Sequence, residues 1–288
     1  MALDSMGRVY TGSDDGEIHR IYPDGTVEVF THTNGRPLGM AFDPQGNLIV
    51  ADAFKGLLSI DPHGEITVLT TSSEGIDFRF TNDLDIASDG TIYFSDASSK
   101  FTQPEYLFDL LEARPHGRLL KFNPHTGETT TLLANLFFAN GVALSENEDF
   151  LLVNETYRYR TQRYWLTGPT EGTSEIFMDN LPGFPDNISS TGDGRFWLAL
   201  FTVRNPIMDS LHPSSFLKKV LSRLPAFMWP KPAPYGFVVE LNEEGKILRT
   251  LQDPGGEKIS IVTSVKEFEN RLYMGTLYGS NIGVIELE

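Results

Sequence analysis

The sequence predicts an all-β fold: a six-bladed β-propeller formed by residues 1–288 as one domain, with short helical insertions over one face. Three observations predict it. One phrase, an apolar strand, a short Asp/Gly-type turn and a second apolar or aromatic strand, occurs six times. Several copies continue into a third strand, another turn and a fourth segment, so each unit reads as a four-stranded meander, A to D. The turn glycines Gly7, Gly46 and Gly90 lie 39 and 44 residues apart, near the roughly 40 to 50 residues of a propeller blade. Radial repetition also protects the edges of so many antiparallel strands. A β-sandwich with similar turns has no need of six copies of one phrase.

In chain order the copies are "MALDSMGRVYTG", "MAFDPQGNLIVAD", "LDIASDGTIYFSD", "VALSENEDFLLVNE", "ISSTGDGRFWLAL" and "SVKEFENRLYMGT". C strands follow in "EIHRIYPDG", "GLLSIDPHG", "GRLLKFNPHTG" and "GFVVELNEEG", and D segments in "TVEVF" and "ITVLT". Two insertions interrupt the B-to-C connections, on the face where the A strands begin. "TQPEYLFDLLEARPHG" carries Tyr106, Leu107, Leu110 and Leu111 at helical spacing; "PSSFLKKVLSRLPAFMWPKP" carries Phe216, Leu217, Val220, Leu221 and Leu224 likewise. Both predict short amphipathic helices over the mouth of the channel, with Phe201, Phe227 and Trp229 supplying apolar pocket wall. The second is also basic through Lys218, Lys219, Arg223 and Lys231, with no acid from Ser210 to Val239. The expectation is a lid that contacts its own propeller; the alternative is membrane-surface contact through residues 213–230.

Composition narrows the chemistry. The formal net charge of −16 repels nucleic acid. The absence of cysteine excludes disulfides, thiolate metal sites and a cysteine nucleophile, so any metal must use oxygen or histidine. No apolar run approaches the roughly 20 residues of a membrane-spanning helix, and "MALDSMGRVYTG" lacks the features of a signal peptide. The expectation for the chain as written is soluble and cytoplasmic.

One slot in the repeat is polar where the strand is otherwise apolar. Asn82 stands eight residues before Gly90, Asn140 nine before Asp149 and Asp186 eight before Gly194. Strand A is innermost in a propeller, so this slot faces the central channel at one rim, and three oxygen-bearing side chains converge on the axis. Unpaired polar groups crowded there cost about 1–3 kcal/mol each. A hard cation satisfies them, because Ca²⁺ accepts amide and carboxylate oxygens in flexible numbers; Mg²⁺, Mn²⁺ and Zn²⁺ are the alternatives, Zn²⁺ disfavoured by the missing thiolates and histidine cluster. Asn187, beside Asp186, offers a further oxygen. The alternative for any one amide is a turn cap or a held water. The sequons "NIS" and "NET" fall within strand phrases and are discounted.

These residues resemble the superfamily of senescence marker proteins, gluconolactonases, paraoxonases and strictosidine synthase-like proteins. "FFANGVALSENEDFLLVNET", "RYRTQRYWLTGP", "DNLPGFPDNI" and "GRFWLAL" are most similar to the strictosidine synthase-like branch, which includes adipocyte plasma membrane-associated protein. The resemblance runs through nearly the whole chain. It implies a six-bladed propeller with Ca²⁺ at the mouth of the channel and, in many members, lactone or ester hydrolysis. The family's metal asparagines match Asn82 and Asn140 and its aspartate Asp186; the Asp-Asn pair completed by Asn187 is similar to the paraoxonases. Two departures stand out. The metal-binding Glu that members carry in a "GPE"-like phrase before the first strand A would precede Met1, so the chain is expected to lack the family's amino-terminal segment. The catalytic Glu of strictosidine synthase proper falls here in "SIVTSV", with Ser260 near its position and no acid in the stretch, which argues against amine-aldehyde condensation.

A bound Ca²⁺ polarises a lactone or ester carbonyl, and the base should be a nearby carboxylate or imidazole. Asp186 is the acid in the shared slot; His116, in "ARPHGRLL" on the same face, has the better intrinsic proton affinity near neutrality. His63 and His125 fall in hairpin turns on the opposite face, and His19, His32 and His212 make no stronger case. Arg36 and Arg114 belong to pocket-side loops where an arginine could meet a substrate carboxylate, but neither enters the site. The sequence reading is therefore a calcium-dependent hydrolase of small lactones or esters, with catalytic Asp186 and His116 and metal-binding Asn82, Asn140, Asp186 and Asn187. The alternatives are a non-catalytic propeller that binds a small molecule or partner and, behind it, condensation chemistry.

Overall fold

Six antiparallel meanders form, in each of which strand order in the sheet follows chain order. The structure, a computed structural model, describes residues 1–211, 213–225 and 228–287. The innermost strands of blades 1 to 6 are Ala2–Leu3, Pro37–Phe42, Thr81–Ile86, Ala139–Leu144, Gly183–Ser190 and Val262–Phe268. Among the described residues the sixth blade has three strands, ending with Gly283–Glu286, and the others four. Each of the six sequence phrases supplies the first two strands of one blade.

The turn chemistry explains why the phrase repeats. In "DPQG" the Asp43 carboxylate accepts from the backbone N–H of Gln45 (2.9 Å) and Asn47 (2.8 Å), and Gly46 takes the positive φ of 87° that closes the hairpin. Asp61 in "DPHG" does the same for His63 and Glu65.

Alternation along the strands puts apolar side chains on both faces of each sheet, and adjacent blades share them. Tyr10 and Ile18 meet Met40, Val50 and Leu58 between blades 1 and 2; Ile49 and Leu57 meet Phe94 and Leu120 between blades 2 and 3. Leu119 meets Val142 and Val153, Leu152 meets Phe196 and Leu198, and Trp197 meets Val262 and Leu272 further round the ring. A fully buried side chain of this size contributes about 2–3 kcal/mol. Among the described residues no buried apolar cluster joins blade 6 to blade 1. A cavity occupies that seam, between Thr11, Ile21 and Val27 on one side and Thr276, Leu277 and Ile282 on the other.

Two devices repeat at the head of the innermost strands. In blades 2 to 4 a buried acid at the end of the second strand holds the lead-in to the first. Asp52 Oδ1 accepts from Arg36 N (2.9 Å), Asp96 Oδ1 from Phe80 N (3.0 Å) and Glu155 Oε1 from Phe137 N (2.9 Å). The ladders of blades 2 to 6 then break register just inside, at Pro37/Met40, Thr81/Leu84, Ala139/Val142, Pro185/Ile188 and Val262/Ser264. Such bulges kink a strand and re-aim its side chains.

The bulges also bring blades into close approach at the axis. A Cβ on Gly141 would collide with Ile188 N and lie 2.6 Å from Asp186 O and 2.7 Å from Asn187 Cα. All three are backbone atoms that cannot yield cheaply. We expect Gly141→Ala to cost more than about 3 kcal/mol in thermal or denaturant unfolding, whereas Gly172→Ala, strained only by its positive φ, costs about 1 kcal/mol. Equal costs would mean that the axial backbone has room to spare.

Candidate functional site

The first bulge residue of blades 2 to 6 is Leu38, Asn82, Asn140, Asp186 and Thr263, and all five line a cavity of about 1160 Å³. The slot inferred from the repeat is thus a physical position, and Asn187 lines the same cavity beside Asp186. Thr263 escaped the sequence reading because it is neither an amide nor an acid, the residue types by which the slot was recognised.

Asn140 is 3% exposed. Its Nδ2 donates to Thr156 Oγ1 (3.2 Å), which in turn donates to Pro185 O (2.7 Å), while its Oδ1 has no partner among the described residues. Asn154 Nδ2 donates to Asp186 O (2.6 Å), tying blade 4 to the lead-in of blade 5. Asn154 is itself fully buried, so its sequon reaches no modifying enzyme in the folded chain. Burial, with a smaller push from the Asp83 charge and against the Asn140 side chain and the Asn187 N–H, brings the Asp186 carboxyl up to about 8. Asp83, deeper in the channel, is pushed up to about 6 by burial and accepts from Val142 N (3.1 Å).

Aromatic rings wall the cavity. Phe80 meets Phe138 edge-on at 5.2 Å, and Phe138 stacks on Tyr157 at 4.5 Å. The two expected helices stand over the mouth, α1 (Tyr106–Glu112) from the first insertion and α3 (Ser215–Leu221) from the second, and a further helix, α2 (Pro206–Leu211), which the sequence reading did not include, precedes α3. Tyr157 Oη donates to Tyr106 O (2.8 Å), which pins α1 to blade 4. The second insertion meets its own propeller, Tyr159 Oη donating to Asp209 of α2 (3.1 Å), and also the first insertion. Leu221, Leu224 and Trp229 pack with Met208 onto Leu111 of α1, so this lid rests on the first lid, and the rest of its apolar face turns outward, Phe216 being 72% exposed with Leu217 and Val220 beside it. Phe201 and Trp229 line the cavity as expected, whereas Phe227 and His212 lie outside the described residues.

His116 does not line the cavity. Its Nε2 lies 3.2 Å from Glu112 Oε2 and its ring packs against Phe101. Ser260 is likewise off the wall, where Thr263 and Ser264 stand instead. His19 does line the cavity, with Nε2 3.5 Å from Glu17; its place on a third strand gave no sequence signal. His63 and His125 sit in exposed turns. Arg36 is buried in the cavity wall, and Arg114 is exposed and outside it. Among the described residues no three His, Cys, Asp or Glu side chains group to hold a metal; the cluster at the slot is instead amides with one carboxylate. No described helix is long and apolar enough to cross a membrane.

Fold and site together define a six-bladed propeller with an oxygen-lined axial cavity, and comparison with known proteins agrees on the fold. The strictosidine synthase family profile matches residues 82–169 and the strictosidine synthase-like amino-terminal profile residues 1–21. The chain is 38% identical over 265 residues to Protein STRICTOSIDINE SYNTHASE-LIKE 3 of Arabidopsis thaliana, covering 88% of this chain and 67% of that one. It is 38% identical over 293 residues to the adipocyte plasma membrane-associated protein of Bos taurus, covering 93% and 71%. It belongs to the strictosidine synthase-like family. Its fold matches a gluconolactonase of Xanthomonas campestris with a TM-score of 0.73 at 18% identity, over 100% of this chain and 84% of that one. It also matches regucalcin of Agrobacterium tumefaciens, described as a calcium-binding protein, at 0.65 and 16%, over 95% and 79%.

Beneath the lid, Asp109 of α1 is 1% exposed and neither carboxylate oxygen has a hydrogen bond among the described residues. Burial pushes it up to about 6, with Ser98, His116 and Lys100 opposing and Glu112 adding to the rise. The folded state therefore holds this proton more tightly than the unfolded chain. Its stabilising contribution is complete near pH 4 and is lost as pH rises through 6, about 3 kcal/mol in all. Asp109→Asn should melt higher than the parent at pH 7.5, with the gap shrinking at pH 5. A gap that does not change with pH would mean that Asp109 is not protonated by burial.

Proposed function

We propose that the chain is a calcium-dependent hydrolase that cleaves lactones or esters at the mouth of its propeller channel. The observation that carries this reading is the half-ring of Asn82, Asn140, Asp186 and Asn187 on the cavity wall, with Asn140 Oδ1 buried and without a partner among the described residues. The donors fit a hard cation. Three amides and one carboxylate offer only oxygen acceptors toward it, and an orphaned buried oxygen is what such an ion satisfies.

When bound, Ca²⁺ would supply Lewis-acid polarisation of a substrate carbonyl. The four side chains hold and centre it. Asp186 takes the proton of the attacking water on a carboxylate oxygen. Phe80, Phe138 and Tyr157 keep bulk water out and pack against the acyl or aryl part of the substrate. His116, turned to Glu112 and off the wall, has no part in this proposal. The absence of an acid in "SIVTSV" weighs against condensation.

The test is hydrolysis of a panel of lactones and aryl esters by metal-stripped protein, before and after Ca²⁺. We expect Ca²⁺ to restore turnover in the parent and Asp186→Asn to lower kcat/KM at least about 100-fold. Protons compete with the ion below pH 8, so the Ca²⁺-induced rise in Tm should grow from pH 6 to pH 8 in the parent and not in the variant. A Ca²⁺-dependent Tm without turnover would instead favour the ligand-binding propeller.

For the outward face of α3 we propose contact with an anionic membrane surface. Phe216, Leu217 and Val220 are exposed beside the exposed cations Lys219 and Arg223, in a chain of otherwise acidic character. Phe216→Ser with Val220→Ser should reduce flotation with phosphatidylserine-containing vesicles. Equal flotation of parent and variant would rule this face out.

A further inference from the structure

We infer that Arg36 is an anion-binding subsite for a substrate carboxylate, so that the ester or lactone carries a second, charged end. This inference rests on the hydrolase reading for its substrate class but has its own binding test.

The repeat makes Arg36 conspicuous. The residue before the first rung of the innermost ladder in blades 2 to 6 is Arg36, Phe80, Phe138, Pro182 and Ile261. These five positions are equivalent in backbone terms, because each carbonyl accepts from the residue that follows the second strand: Ala53, Ala97, Thr156, Arg204 and Leu277 respectively. Four of the five side chains are apolar. Only in blade 2 does this position carry a charge, and that charge lines the cavity together with Phe80 and Phe138.

Folding does not dictate that charge, since apolar side chains serve at the same position in four other blades. Arg36 is 7% exposed, and its Nε–H has no partner among the described residues. Its one ion pair is Nη2 to Asp14 Oδ1 at 2.6 Å, and the Asp14 side chain is 87% exposed. A partner in solvent offsets little of the cost of desolvating a guanidinium. The guanidinium, a rigid fork of donors whose only charged partner among the described residues is Asp14, stands in the wall of an aromatic cavity and suits a planar anion. The carboxylates already on the wall, Asp14 and Asp186, favour a monoanion over a doubly charged phosphate. The substrate that fits has its scissile carbonyl at the half-ring of blades 3 to 5 and an apolar or aryl body along Phe80 and Phe138. Its carboxylate lies at blade 2.

Two esters and two ligands test this. The parent should prefer 4-acetoxybenzoate to phenyl acetate in kcat/KM, and Arg36→Gln should lower that preference about tenfold, the loss of one charge-assisted contact. Arg36→Lys should fall between them. Arg114→Gln, off the cavity, should leave the preference unchanged. In calorimetric titration without turnover, benzoate should bind the parent and bind Arg36→Gln about tenfold more weakly, while Asp14→Asn, which removes the competing carboxylate, should strengthen it. If neither ester is hydrolysed, the hydrolase reading fails and benzoate binding alone decides. Binding that depends on Arg36 upholds the subsite; binding that ignores Arg36, or an ester preference that Arg36→Gln leaves intact, overturns it. Inorganic phosphate that binds more tightly than benzoate would overturn the assignment to a carboxylate.

Discussion

The site depends on one constraint, the crowding of main chain where the innermost strands converge on the propeller axis. A regular ladder would alternate its side chains into the neighbouring blades and leave none at the rim. The bulge at the head of the innermost strand breaks that alternation in blades 2 to 6 and turns one side chain per blade toward the cavity. In blades 2 to 4 the second bulge position then faces the main chain next door. In blades 2 and 4 it is glycine, Gly39 and Gly141, because the neighbouring chain lies within contact of where a Cβ would stand.

A bulge holds a side chain in place only if the chain leading into it is also held. Here the buried acids Asp52, Asp96 and Glu155 act, each accepting main-chain N–H groups just before the innermost strand. Asp96 also takes Arg118 Nη2 at 2.5 Å, and that charge pulls down a pKa which burial otherwise raises. Such groups are costly to bury alone and specific when paired, so they fix one loop geometry out of many. Blades 5 and 6 lack the acid, with Val203 and Thr276 at the corresponding rungs. In blade 5, Thr156 and Asn154, reaching across from blade 4, bond the Pro185 and Asp186 carbonyls instead.

The fold was legible because its signals are local and repeated: Asp-x-x-Gly turns, alternating strands and blade-length spacing each appear several times, so a weak signal in one copy is supported by the others. The polar slot was legible for the same reason, by counting from the turns. What escaped was whatever occurs once or crosses between blades. His116 looked suitable from its loop, but only tertiary packing shows its ring turned to Glu112. The helical spacing of Phe216, Leu217 and Val220 was correct, yet periodicity marks an apolar face without saying what covers it; α1 covers only Leu221 and its neighbours. Arg36 was visible as an arginine in a pocket-side loop, and its significance came only from the backbone equivalence that sets it against Phe80 and Phe138.

A radially repeated scaffold acquires direction through such departures from its own repeat. Asn82, Asn140 and Asp186 place acceptor oxygens on consecutive blades 3 to 5, Leu38 and Thr263 leave blades 2 and 6 without amide or acid, and the helical lids rise from blades 3 and 5. The cavity therefore has a polar side under the lids and a less crowded side toward the seam of blades 6 and 1. Within the polar side, a single carboxylate among amides is the electrostatically economical choice. Each further buried acid would raise the others, as Asp83 already raises Asp186. Amides supply oxygen without adding to that repulsion, so the half-ring can gather acceptors at the axis around its one ionisable member.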